Sequence, residues 1–164
     1  MRKLAFFAPL AAALAVAAAP AMAEPAAVTV TLGGDLQDKV DDLGEREVRE
    51  QADRLAEVVQ RALAREGALD GARVDLVLTD LRPNRPTFQQ MADRPGLDGL
   101  RSLSIGGAAI EGQVTMADGR TVPVSYDWFS TSLADVWGSS TWQDANRAYR
   151  RLAVNLADGR YVSR

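Results

Sequence analysis

The chain contains neither cysteine nor histidine in 164 residues. Without cysteine there are no disulfides, so stability in any compartment must come from packing. Without histidine there is no Ser-His-Asp triad, no Cys-His pair and no ordinary zinc site. Glycine-rich phosphate loops and the G-x-S-x-G nucleophile elbow are missing as well. Catalysis would rest on carboxylates, tyrosine, a lysine or an oxygen-bound metal. Lysine itself is scarce: Lys3 and Lys39 are the two present, and every other basic residue is arginine.

One long apolar run is present, at the N-terminus. Met1-Arg2-Lys3 is a short positive segment, and Leu4 to Ala19 follow without a charge. Pro20-Ala21-Met22-Ala23 then precedes Glu24, with small residues placed as signal peptidase requires. The run is short and alanine-rich for a membrane span. The pattern predicts a cleavable signal peptide over 1–23, a cut after Ala23, and a periplasmic or secreted product without a lipid-accepting cysteine. The remaining residues, 24–164, are expected to form a single domain large enough to bury its own core.

Losing Arg2 and Lys3 with the leader leaves 17 basic against 22 acidic residues, a net charge of −5. An acidic chain with scattered arginines argues against nucleic-acid binding and against adsorption to anionic membranes. No second run is long enough to span a bilayer.

Periodicity sets out the elements. Val28–Leu32 alternates and reads as a strand ended by Gly33-Gly34. Val48, Ala52, Leu55, Val59 and Ala62 recur at helical spacing, with Asp42 and Glu45 spaced as a capping box and Gly67 as C-cap. Glu50 with Arg54 and Glu57 with Arg61 form i,i+4 pairs on the outer face. Arg73–Thr79 is a second strand. Leu103–Met116 reads as a long strand whose phase changes at Gly106-Gly107, where a bulge would let both halves face one core.

A hairpin follows. A two-residue Asp118-Gly119 loop would put the apolar sets of the flanking strands on opposite faces. The three-residue loop Ala117-Asp118-Gly119 pairs Met116 with Arg120 and Val114 with Val122, and is predicted instead. Thr141 and Asp144 are placed to cap a last helix carrying Trp142, Ala145, Tyr149, Leu152 and Leu156, closed by Gly159. The expected fold is α+β: a small, mostly antiparallel sheet of about four strands with two helices on one face, in the order β-α-β-loop-β-β-α.

Between Asp80 and Arg101 the pattern vanishes, apart from a Thr87/Gln90 capping-box signature that predicts a turn or two of helix over Phe88–Asp93. Long irregular stretches are often functional. Pro83 and Pro86 bracket Asn84-Arg85, so Arg82, Asn84 and Arg85 are candidate binding residues suited to a carboxylate or phosphate. The simpler reading pairs Arg82 and Arg85 with Asp80, Asp93 or Asp98 to pin the loop. Trp137, between Val136 and Gly138, is a further binding candidate, whereas Trp128 and Trp142 lie on apolar stripes and read as core. The acidic run Asp35, Asp38, Asp41, Asp42 lacks calcium-loop spacing and suits a helix N-terminus. Glu111 and Asp127, with Tyr126 and Lys39, are the remaining catalytic options. Their strand phase puts the two carboxylates on the solvated face. No catalytic residue, metal or cofactor is assigned.

The layout from Ser104-Ile105-Gly106-Gly107 through Asp118-Gly119 to Trp128, with its closing amphipathic helix, resembles uncharacterised exported proteins and small envelope lipoproteins of Gram-negative bacteria. It is also broadly similar to the small α+β domain that precedes the propeller in the Tol–Pal translocation protein. That resemblance implies a noncatalytic part in an envelope complex. The expectation is a periplasmic binding or assembly module that meets a protein partner through the 80–101 loop or a sheet edge. The alternatives are a carboxylate-based enzyme acting on cell-wall or carbohydrate material, and a small-ligand carrier.

Overall fold

A computed structural model describes residues 24–136 and 140–163. The predicted leader and Trp137 lie outside them. Five strands form one sheet in the order β1-β2-β3-β4-β5: β1 Ala27–Leu32, β2 Arg73–Arg82, β3 Gly107–Thr115, β4 Thr121–Phe129 and the two-residue β5 Val162–Ser163. Among the described residues four α-helices accompany it: α1 Val40–Leu43, α2 Glu45–Glu66, α3 Phe88–Asp93 and α4 Gln143–Ala157.

The fold is α+β, as expected, with a mixed rather than mostly antiparallel sheet. β2, β3 and β4 are antiparallel neighbours, while β1 pairs with β2 and β4 with β5 in parallel. Both parallel pairs arise where a long helix carries the chain back to the end from which it started. α2 does this between β1 and β2, and α4 between β4 and β5.

The two long helices pack on each other and on the sheet. Val48, Leu55, Val59 and Leu63 of α2 meet Tyr149, Leu152 and Leu156 of α4 in one core with Leu76, Leu78, Ile110, Val114 and Val124 of the sheet. Burying each such side chain stabilises the fold by roughly 1.5–3 kcal/mol. The opposite sheet face carries Thr29, Thr31, Glu111, Gln113 and Asp127, all exposed.

The hairpin takes the three-residue loop. Met116 N–H donates to Arg120 O at 2.8 Å, Gly119 N–H donates to Met116 O at 2.9 Å, and Gly119 has φ +85°. Val114 faces Val122 and Gly112 faces Val124. Gly112 admits no side chain: its φ is +154°, and a Cβ would fall 2.2 Å from Asp75 O.

Several local expectations need correction. Gly44, at φ +91°, separates α1 from α2, and no side chain caps α2. Asp42 therefore does not cap that helix. It accepts a hydrogen bond from Gln90 at 2.7 Å and pairs with Arg94, which fastens α3 to α1. Arg54 turns from Glu50 towards Glu57 (3.3 Å) and Asn146 (3.3 Å), while Glu50 pairs with Arg46 at 3.6 Å. The Glu57–Arg61 pair forms, at 3.7 Å. α4 begins at Gln143 without a side-chain cap from its own segment. β3 begins only at Gly107, so Leu103 and Ile105 stay outside the core, 44% and 39% exposed. Gly106 takes the inward position, against Asn84: a Cβ there would lie 2.7 Å from Asn84 Oδ1.

Candidate functional site

The segment from Asp80 to Ile105 is far more structured than its sequence suggests. β2 continues past a register shift between Leu78 and Asp80 and runs to Arg82. Asp80 sits at that shift. Lys39 Nζ donates to it at 2.7 Å, Arg82 Nε at 3.1 Å and Leu81 N–H at 2.9 Å. Burial alone would raise its carboxyl above the ordinary range. The bond and charge from Lys39, with Arg82 and the Leu81 N–H, outweigh burial and hold it below.

Asn84 points inward, against the expectation that the flanking prolines present it. It is 1% exposed. Its Nδ2 donates to Asp144 Oδ2 at 2.6 Å and to Ser104 O at 3.3 Å, and its Oδ1 accepts from Asp144 N–H at 2.9 Å. Its backbone N–H donates to Thr141 O at 2.7 Å. Asn84 thus caps the start of α4 from 60 residues away, the task that Thr141 and Asp144 do not perform between themselves. Asp144, fully buried, has Arg147 at 3.4 Å as counter-charge.

Arg85 is buried too. Its Nη1 donates to Gly99 O at 3.1 Å and Leu100 O at 2.5 Å, closing the segment on itself. Asn84 turns inward onto the buried Asp144 carboxylate, which needs a donor, and Arg85 onto two backbone carbonyls of its own segment. Arg82 stays exposed, stacks over Phe129 at 4.4 Å and pairs with Asp80 at 3.1 Å. Of the residues singled out from sequence, the structure thus leaves Arg82 on the surface and uses Asn84 and Arg85 to shape the segment.

The capping box of α3 forms as predicted, with Gln90 N–H donating to Thr87 Oγ1 at 3.1 Å and Thr87 N–H to Gln90 Oε1 at 3.2 Å. Asp98 accepts from Leu100 and Arg101 N–H at 2.7 and 2.8 Å, and these bonds hold its carboxyl below the ordinary range. The segment is rigidly built, and it displays apolar side chains. Phe88 is 73% exposed, Leu100 77%, Leu103 44% and Ile105 39%. A cleft of about 350 Å³ opens between α3 and residues 102–105, lined by Pro83, Pro86, Leu97, Leu103 and Ile105 with Arg82, Gln90 and Arg94. Sequence reasoning missed these residues. Phe88 and Leu100 lie in a stretch with no amphipathic period to bury them, whereas Leu103 and Ile105 alternate as a buried strand would and gave no signal of exposure.

A second concavity, about 480 Å³, lies between β4 and α4. Arg147 and Arg151 stack over Trp128 at 5.4 and 4.5 Å, and Arg150 adds a third guanidinium to the lining. Burial holds the Tyr126 hydroxyl above its ordinary value, against the pull of Arg151. Trp128 is half-buried against the core, and Trp142 is buried with its Nε1 donating to Glu47 at 3.2 Å, in keeping with their apolar stripes. Glu111 and Asp127 lie on the uncovered sheet face, opposite Ser125 and Ala109 respectively, and both are exposed.

Among the described residues no group of three or more acidic, His or Cys side chains is arranged to hold a metal ion, and no helix is long and apolar enough to cross a membrane. No protein-family model matches the chain, and no curated protein matches it in sequence.

Proposed function

We propose that the exported chain is a noncatalytic binding module of the cell envelope, and that it docks a protein partner on the surface formed by residues 83–105. One observation carries this reading. Phe88, Leu100, Leu103 and Ile105 are exposed on a segment that Asn84, Arg85, Thr87 and Asp98 hold in place. Large apolar side chains on a pre-organised surface bind without a large ordering cost, and exposed apolar patches mark interaction sites. Arg82 and Arg94, beside the cleft, supply charge for orientation. On this reading the contact residues are the exposed apolar side chains rather than the buried Asn84 and Arg85.

The periplasmic setting rests on the leader pattern over residues 1–23, and an intact mass beginning at Glu24 tests it. A full-length mass would contradict export by cleavage. For the docking surface the test is crosslinked pulldown from the periplasm with the natural chain and with Leu103→Asp/Ile105→Asp. A partner recovered with the first and lost with the second supports the reading. Recovery of the chain alone, or equal recovery with both, refutes it.

A further inference from the structure

We infer that the outer groove between α2 and α4 is a second docking site, for an acidic amphipathic helix of a partner protein. The two helices pack side by side, and their seam leaves a groove of about 230 Å³. Its floor is apolar, made by Val58 and Ala62 of α2 with Ala153 and Val154 of α4, and Val154 is 49% exposed. Arginines stand on both banks: Arg54, Arg61 and Arg65 on α2, and Arg150 on α4. Among the described residues no carboxylate lines this groove.

Charge selects the sign of the occupant. The four guanidinium groups are exposed and share two carboxylates: Glu57 serves Arg54 at 3.3 Å and Arg61 at 3.7 Å, and Glu66 serves Arg65 at 2.9 Å. Arg150 has no ion pair among the described residues. α4 offers no acid to balance it, since its one acidic residue, Asp144, is fully buried beside Arg147. In a chain of net charge −3 this is a local excess of positive charge, and incoming carboxylates complement it.

Shape selects its form. Pockets for drug-sized ligands hold roughly 300–1,000 Å³. This groove is smaller and suits inserted side chains. Arg54, Arg61 and Arg65 follow the helical repeat, and together they cover about 16 Å of the bank. A helix laid along the groove presents carboxylates at the same intervals, flanking an apolar stripe that meets Val58 and Val154. A phosphate or a polyanion would use the arginines but leave the apolar floor uncovered. The groove shares no lining residue with the cleft of the 83–105 surface, and it does not depend on a partner there.

The test is an NMR titration with an alanine-based peptide of about five helical turns, with valine and leucine at heptad positions a and d and glutamate at e and g. Saturable shifts are expected for the amides of residues 54–65 and 150–154, with a gain in peptide helicity by circular dichroism. Arg61→Glu/Arg150→Glu and Arg61→Gln/Arg150→Gln should each weaken binding at least tenfold. These side chains are exposed, and an otherwise unchanged spectrum verifies the fold. The peptide with lysine in place of glutamate should not bind, nor should the glutamate peptide interrupted by a central proline. Several results would overturn the proposal: no saturable shift at these amides, equal binding of the lysine or proline peptide, or undiminished binding by both variants. So would the same shifts produced by phosphatidylglycerol vesicles, which would make a lipid surface the occupant. Concentration-dependent shifts without peptide would overturn it as well, by making a second copy the occupant.

Discussion

Replacing Asn84 with alanine removes the side chain that joins β2, the 102–106 segment and the start of α4. Three hydrogen bonds go, two of them to Asp144. Asp144 is fully buried, with Arg147 at 3.4 Å its one remaining counter-charge among the described residues. Hydrogen bonds to charged groups contribute roughly 1.5–3 kcal/mol each, and removing one partner of a buried charge costs about 3–5 kcal/mol. The two figures describe the same loss, so about 3–5 kcal/mol is expected for Asn84→Ala, a large share of the ~5–15 kcal/mol typical of a domain. In urea, with a slope of about 2 kcal/mol/M, the midpoint should fall by about 2 M at unchanged slope. Asp144→Ala removes the stranded charge. The double variant should therefore be more stable than the sum of the single losses predicts, by more than about 1 kcal/mol. A midpoint shift below about 0.5 M for Asn84→Ala, or strict additivity in the double variant, would refute the view of Asn84 as the cap of α4.

Three other outcomes follow from single positions. Tyr149 is fully buried and its hydroxyl has no hydrogen-bond partner among the described residues; burial also pushes its ionisation upward. Tyr149→Phe should leave stability unchanged or raise it by up to ~1 kcal/mol, measured by thermal unfolding. Gly112→Ala should destabilise by roughly 2–4 kcal/mol, because the strand backbone of β2 must move to admit a Cβ; urea unfolding reads this. Asp80 is held below the ordinary carboxylate value, so its contribution is present above about pH 4 and is lost as pH falls through its folded-state value. Asp80→Asn should flatten that part of the acid-unfolding profile and leave the profile above pH 5 parallel to that of the natural chain.

Local patterns reached the structure where the determinants were local. The stripe Val48–Leu55–Val59, the alternation of Val74, Leu76 and Leu78, and the phase of Val114 against Val122 were enough to place α2, β2 and the three-residue hairpin loop. Thr87 and Gln90, three residues apart, were enough for the cap of α3. The parallel pairing of β1 with β2 depends on which strand end α2 delivers, which side-chain periodicity does not encode. β5, two residues long, carries no periodic signal at all.

The misreading of Asn84 has the same origin. Two prolines stiffen its backbone, but its direction is set by Asp144, 60 positions on. The exposure of Leu103 and Ile105 likewise depends on β3 starting at Gly107, after the chain has passed Asn84. The groove beside Trp128 was partly legible, since Arg147, Arg150 and Arg151 share one side of α4 by spacing, and only the register of β4 sets Trp128 beneath two of them.

The central claim is that residues 83–105 dock a protein partner. A photo-crosslinking amino acid placed at Leu103, with a second placed at the exposed Gln60 of α2 as control, tests it in the intact periplasm. The account predicts a discrete crosslinked product of higher mass at position 103, absent at position 60 and diminished when Ile105→Asp is added. No product at 103, or the same products at both positions, would contradict it.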